Sequence, residues 1–493
     1  MTHPPASLID LLSHNAQAYA ARAAVITHEH TLTHAALFTA VQRQAAALAA
    51  LGVKRGDRVV LLAGNRSEFL VLLGAAAWLG AVLVPLNLRL SAGEMAQQSR
   101  DAAPVLVVLD AACEPAWRAA WPEGLPGVRM EMLGAGTADE LACAGPATAA
   151  PVDRQDAPER GVVMLYTAAV DGHARGAVLA SSQLTASSRQ IGAAWSLGAD
   201  DRWLGVLPLF HAAGIGLSLA LLAAGGASVL LPRFDPAMAV AAVDEHRVTV
   251  CATFAPMLGA LLDAAEASGA RLGSLRIAMG LEPPAVVERL GRLAPGAGFW
   301  SAYGQAEVSA MVCLGLQSER PGAAGRALPP SEVRVLDESG QPVATGVQGE
   351  IAVRGPTVFL GYWDAKALRP FKPADPWHRT GDLGRLDEDG WLWFAGRAAH
   401  KQLIKTGGEN VYPAEVEQVL LEHPAVAEAF VFGQPDEKWG EAVHAHCALK
   451  PGASTTADAL MAFVGHRLAR YKRPQRVSFL PAPLKRSLSE SLD

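Results

Sequence analysis

Short apolar runs recur along the first half of the chain, separated by alanine-rich stretches whose apolar positions follow helical spacing. RVVLLAG (58–64), AVLVPLN (81–87), VLVVLD (105–110), GVVMLY (161–166), SVLLP (228–232) and VTVCATF (248–254) predict strands. Residues 35–50 and 237–246 predict helices among them. Strands that are apolar on both faces and alternate with helices specify an α/β fold, with parallel sheets covered by helices. Residues 111–160, rich in Ala, Gly and Pro, predict a peripheral segment.

Two apolar stretches, Phe69 to Leu88 and Trp203 to Pro232, are long enough to invite a membrane reading. Their punctuation argues for helix–turn–strand units in a large core. Gly80 separates FLVLLGAAAWL from AVLVPL, and Pro208, Gly214, Gly216, Gly225 and Gly226 break the second stretch. The N-terminus, MTHPPASLIDLLSHN, has neither the basic start nor the apolar run of a signal peptide. A soluble, cytoplasmic protein without a membrane span is expected.

After Pro321 the pattern shifts to shorter alternating strands with acidic turns: SEVRVLDESGQPV, GEIAVRG and GRLDEDGWLWFAG. Asp-Gly and Ser-Gly turns predict hairpins, and thus a β-barrel-like subdomain. Past Gly396 the pattern predicts a small α+β unit: helix 414–422, strands 429–432 and 443–449, helix 457–469. The expected division is a large domain over 1–396 and a small one over 403–493, with 397–402 between them.

Composition narrows the function. Of 493 residues, 51% are hydrophobic and 18% charged, which excludes disorder. The formal charge of −6 and the lack of any basic block argue against nucleic-acid partners. Five scattered cysteines without a CxxC pair argue against a disulfide framework or zinc cluster.

Several segments carry chemistry. PLFHAAG (208–214) places His211 in an apolar stretch; YGQAE (303–307) ends on a carboxylate; RTGD (379–382) precedes GRLDEDGWLWFAGR; LIKTGGENVYPAEVE (403–417) pairs two glycines before a helix start. In this order the segments resemble the adenylate-forming superfamily of acyl-CoA synthetases, peptide-synthetase adenylation domains and luciferases, over nearly the whole chain.

The resemblance implies roles. Tyr303 would stack on adenine, with Gly304 beside it, and Glu307 would hold Mg²⁺, a hard dication suited to a carboxylate oxygen. Asp382 would accept from both ribose hydroxyls and Arg397 would make the second ribose contact. Gly407, Gly408 and Glu409 would line a tunnel for the pantetheine arm of coenzyme A. His211, with Phe210, Phe254 and Met279, would wall or gate the acyl pocket. The implied reaction activates a small-molecule carboxylic acid with ATP and passes it to coenzyme A. A homodimer is left open.

The departures fall on phosphate handling. The phosphate loop of the family reads Tyr-Thr-Ser-Gly-Thr-Thr-Gly-x-Pro-Lys-Gly; here 166–176 is YTAAVDGHARG. Thr167 and a cationic Arg175 remain, but Ala168, Ala169, Val170 and Asp171 replace the hydroxyl-rich centre. A carboxylate ~4 Å from a phosphate charge is repelled by about 4 kcal/mol at an effective dielectric of ~20. Ala306 replaces a Thr of the family's Tyr-Gly-x-Thr-Glu. Near the C-terminus, Arg486 and Ser487 occupy the family's Gly-Lys positions, leaving Lys485 as the only nearby amine and the candidate catalytic lysine. Losing one such preorganised donor costs about 10²–10³ in rate. The resemblance also implies a hinge over 397–402, shared among His400, Lys401 and Gln402, before a mobile domain over 403–493.

Three readings follow: a working carboxylate–CoA ligase, a degenerate relative that binds without efficient adenylation, and an enzyme of this fold that acylates an amine or carrier protein. The pocket windows are apolar, with Trp203, Phe210, Phe254 and Met279 and no basic residue but His211. A medium-chain fatty or aromatic acid is expected. Leu281-Glu282-Pro283 stands where the family has Gly-Ala-Pro.

Overall fold

A computed structural model describes residues 5–133, 152–167, 174–364, 367–370, 376–398, 403–436 and 439–484. Among these, the strands form three sheets. The first has thirteen strands, and its centre is parallel: Ala227–Leu230, Arg202–Gly205, Val250–Ala252, Ile277–Met279 and Gly298–Tyr303 lie side by side in that order. The second has eight, with Arg129–Met132, Leu106–Leu109, Arg58–Leu62, Val82–Pro85 and Gly161–Thr167 parallel and an antiparallel edge beyond. Each apolar run named above supplies one of these strands, because a strand covered on both faces needs apolar residues at every position.

The two membrane-like stretches are the inner helices. Ser67–Leu79 ends at Gly80 in the left-handed conformation, and the chain turns at once into strand Val82–Pro85. Ala212–Ala223 leads to Ala227–Leu230. A helix that is apolar all round must be buried on all sides. Both helices share one core with residues of the first two sheets, from Leu8 to Phe359. No helix among the described residues is long and apolar enough to cross a membrane.

The hairpin strands after residue 321 continue the first sheet. Cys313–Leu316 pairs antiparallel with Gly298–Tyr303, and the chain of pairings runs on through Gly325–Ala327, Trp391–Arg397, His378–Leu386 and Gly349–Arg354 to Glu332–Leu336. This continuity carries the RTGD strand alongside the parallel core.

The third sheet belongs to the small C-terminal unit. Its long hairpin, Val426–Asp436 with Gly440–Leu449, exceeds the expected strands, while the helix expected to reach residue 469 stops at Gly465. That helix and Pro413–Glu422 pack against the sheet through Val416, Leu420, Val431, Val443, Leu460 and Val464. The hinge candidates His400, Lys401 and Gln402, the loop residues Ala168 to Asp171, and Lys485 with Arg486 and Ser487 lie outside the described residues.

Candidate functional site

The strand ends of the first sheet build one wall of the site, as open α/β sheets place their ligand sites. Tyr303 closes the strand Gly298–Tyr303, and the next residue has no room for a side chain. A Cβ on Gly304 would stand 1.7 Å from the Ala310 carbonyl oxygen. The buried Tyr303 hydroxyl donates to Asp382 Oδ2 at 2.9 Å. Burial first, then the Asp382 charge, pushes the phenol well above its ordinary range, so it stays a donor.

The RTGD segment of the strand His378–Leu386 is locked residue by residue. Thr380 donates to the Ile351 carbonyl at 2.7 Å, and Gly381, at φ +72°, donates its N–H to Glu350 at 2.9 Å. Glu350 also accepts from Arg379 Nε at 2.7 Å. Asp382 is thereby presented opposite Arg397 in the strand register, with Arg397 Nε 3.5 Å from Asp382 Oδ1.

Glu307, 6% exposed, sits in the single turn Ala306–Val308. Its Oε1 accepts from Thr167 Oγ1 at 3.1 Å and from the Tyr362 hydroxyl at 2.9 Å. The Arg175 guanidinium lies 5.6 Å over the Tyr362 ring. Thr167, Arg175, Glu307 and Tyr362 thus form one cluster. Among the described residues no three metal-ligating side chains converge. A lone carboxylate fits Mg²⁺, which takes most of its ligands from phosphate and water.

His211 caps the entry to helix Ala212–Ala223, where a Cβ on Gly214 would stand 2.1 Å from the Pro208 carbonyl oxygen. Its ring packs 4.7 Å from that of Phe210, and its Nε2 lies 3.5 Å from Glu409 Oε1. Phe210 and Met279 belong to the main core and Phe254 packs against it, so the acyl-pocket candidates share one apolar wall.

The C-terminal unit reaches this wall. Gly407 and Gly408 have φ of +56° and +83°, and a Cβ on Gly408 would lie 3.6 Å from Phe254. Glu409 was expected to face coenzyme A; its carboxylate instead accepts from Asn87 Nδ2 at 2.9 Å and Arg89 at 2.8 Å, and is 4% exposed. Burial works against its charge, yet His211, Arg89 and Asn87 outweigh it and hold the carboxyl below the usual range.

Two residues of this unit escaped sequence reasoning. Tyr412 is buried where Glu307, Asp382 and Arg397 all act on its phenol, which burial pushes upward. It brings a C-terminal group to the Asp382–Glu307 cluster. Trp439 stands 3.0 Å from the place a Gly407 Cβ would take. Tyr412 was visible only as part of ENVYP; nothing local marked Trp439.

Residues 12–363 match the family described as AMP-binding enzyme, and 415–488 match the AMP-binding enzyme C-terminal domain. The indoleacetate–CoA ligase of Aromatoleum aromaticum is 34% identical over 92% of this chain and 90% of its own. Two structures of o-succinylbenzoate CoA synthetase from Bacillus subtilis are similar over 99% of this chain and 96% of theirs. A double mutant bound with a product analogue has a TM-score of 0.84 at 30% identity. The complex with the acyl-adenylate intermediate has 0.70 at 29%.

Proposed function

Because the chain belongs to the AMP-binding enzyme family and is an acid–CoA ligase, we propose that it activates an apolar monocarboxylic acid, aromatic or of medium chain length. The acid's carboxylate oxygen would attack the α-phosphorus of ATP and expel pyrophosphate. The thiol sulfur of coenzyme A would then attack the acyl carbon of the adenylate, losing its proton and expelling AMP. Activation is required because a carboxylate is a poor electrophile without a good leaving group.

The observation that carries this reading is the docking of Gly408 on Phe254 and of Glu409 on His211. The short hairpin of Ile404–Thr406 and Glu409–Val411 thereby closes on the acyl wall, with Gly408 facing Phe254. A slender pantetheine arm passing between the units here would be crowded by a Cβ at 408. The higher similarity to the product-analogue complex than to the acyl-adenylate complex supports the same orientation.

Each polar group has a task. Asp382, fixed by the RTGD segment and by Arg397, accepts from ribose hydroxyls. Tyr303 presents its ring to the base while its hydroxyl holds Asp382. Glu307 is the group for Mg²⁺, which when bound neutralises phosphate charge. Arg175 adds a positive charge beside Glu307, and His211 reports hairpin closure to the acyl wall through Glu409.

The test is pyrophosphate release and thioester formation over a panel of acids, with and without coenzyme A. Acid-dependent pyrophosphate release followed by CoA-dependent thioester is expected for phenyl- and indolyl-alkanoates or C6–C10 acids. Absence of both products with every acid would overturn the reading; amide formation with an added amine in place of thioester would reassign the acceptor.

A further inference from the structure

The strand Ile277–Met279 ends in Gly280, Leu281, Glu282 and Pro283, at the rim that holds Phe254 and Met279. Thr253 N–H donates to the Met279 carbonyl at 2.9 Å, so the ends of this strand and of Val250–Ala252 are joined side by side. A Cβ on Gly280 would meet the Thr253 carbonyl oxygen at 3.1 Å and the Glu282 side chain at 3.6 Å. Glu282 therefore folds back over the strand ends, while Leu281 is 75% exposed. Its Oε1 is buried, and among the described residues no donor reaches it. A carboxyl oxygen taken from water and left unpaired is costly, and native structures rarely keep one without a use.

We propose that Glu282 selects the acid, accepting a hydrogen bond from an N–H or O–H group carried on the acyl portion of the substrate. The inference rests on the ligase reading above. The acyl side is favoured over the adenine side by position. The Met279 carbonyl, three residues before Glu282, accepts from Thr253 beside Phe254, whereas Asp382 and Arg397 lie beyond the strand Gly298–Tyr303. Burial also lifts the Glu282 carboxyl to about 7, and in either protonation state it keeps acceptor lone pairs. A site with an unpaired acceptor discriminates against ligands that cannot satisfy it.

The probes are acyl-sulfamoyl adenosines in matched pairs: 4-hydroxyphenylpropanoyl against 4-methoxyphenylpropanoyl, and indolylpropanoyl with N–H against N-methyl. Their affinities and that of AMP are measured by calorimetry on the full chain, with Glu282→Gln and Glu282→Ala beside it. In at least one pair the donor-bearing ligand binds about tenfold or more tighter to the natural protein, as one hydrogen bond to a carboxylate allows. Glu282→Ala brings that ratio near one, Glu282→Gln keeps part of it, and AMP affinity stays constant in all three. Thermal unfolding checks that both variants remain folded. Equal affinities in both pairs overturn the proposal, as does loss of AMP affinity in Glu282→Ala by the same factor, which would assign the carboxyl to the base. Binding of AMP without binding of any acyl analogue overturns it too. Failure of AMP and all analogues together overturns the ligase reading itself.

Discussion

Lys472 of the C-terminal unit is 6% exposed and pairs with Glu94 of the N-terminal domain, 378 residues earlier in the chain. The same ammonium holds both oxygens of Glu415 at 2.7 Å. Burial lowers its basicity, but Glu415 and Glu94 more than restore it. Glu94 also accepts from the Ala469 N–H at 2.8 Å, and Ser91 beside it donates to the Arg467 carbonyl at 2.8 Å. The pair pins the C-terminal unit in the orientation that lays Gly408 on Phe254.

Breaking a buried pair by removing one partner costs about 3–5 kcal/mol, because the other charge is stranded. Lys472→Met is therefore expected to slow thioester formation from synthetic acyl-AMP by about 10²-fold or more. Glu94→Gln should be milder, since Lys472 keeps Glu415. Acid-dependent pyrophosphate release should change little in both. Equal losses in the two half-reactions would mean that the pair serves folding alone.

Asp382→Ala removes the acceptor held by Tyr303 and Arg397, which the proposed function assigns to ribose. Two hydrogen bonds to a charged group predict a loss of AMP affinity of about 10²-fold or more. Titration calorimetry checks it; undiminished affinity would detach Asp382 from the nucleotide.

Gly408→Ala puts a methyl 3.6 Å from Phe254 at a φ of +83°, where side chains are strained. The thioester half-reaction should slow while adenylation persists. Stopped assays started from acid plus ATP, and separately from acyl-AMP, distinguish the two. Gly304→Ala has no such latitude, with only 1.7 Å to a carbonyl oxygen, and should abolish both.

Glu282 gives stability an unusual pH dependence. Its folded carboxyl titrates near 7, above the ordinary 4.5, so the folded chain binds the extra proton between those values. Stability contributed at this site is therefore fully present below about 4.5 and declines as pH rises through about 7. The Cys251 thiol, the titratable group coupled to it, is pushed up to about 12 by burial and does not ionise in this window. Glu282→Gln should gain stability over the natural protein on going from pH 5 to pH 8, read by denaturant midpoints. A constant difference would place the carboxyl in water.

Lys485 and residues 168–171 bear on adenylation. Lys485→Ala should slow pyrophosphate release by about 10²-fold and spare thioester formation from acyl-AMP. Replacing residues 168–171 by Ser-Gly-Thr-Thr should raise pyrophosphate release. Unchanged rates in both would leave adenylation to Thr167, Arg175 and Glu307.

Local chemistry made much of this legible. Gly80 and Gly225–Gly226 cut two apolar stretches where helix passes to strand, and RTGD stood out by its place just before GRLDEDGWLWFAGR. Long-range pairings were not legible. The pairing of Gly325–Ala327 with Trp391–Arg397, far apart in sequence, joins the hairpins after residue 321 to the first sheet. Lys472, in YKRP, has the local pattern of a solvated charge; only the approach of Glu94 makes it interior. Glu409 likewise read as a ligand contact because its partners, Asn87 and Arg89, precede it by more than three hundred residues.

The helix Ser67–Leu79 has a consequence for how the chain is made. A Cβ on Gly74 would stand 2.6 Å from Val41 and 3.2 Å from Leu12, and the shared core extends to Phe359. Its walls therefore come from segments that leave the ribosome at widely separated times. Until the later ones arrive, a strongly apolar helix has no complete cover and is a target for chaperones or for aggregation. Truncations that remove the strands between residues 200 and 316 should yield insoluble chains, even though every residue of that helix is retained.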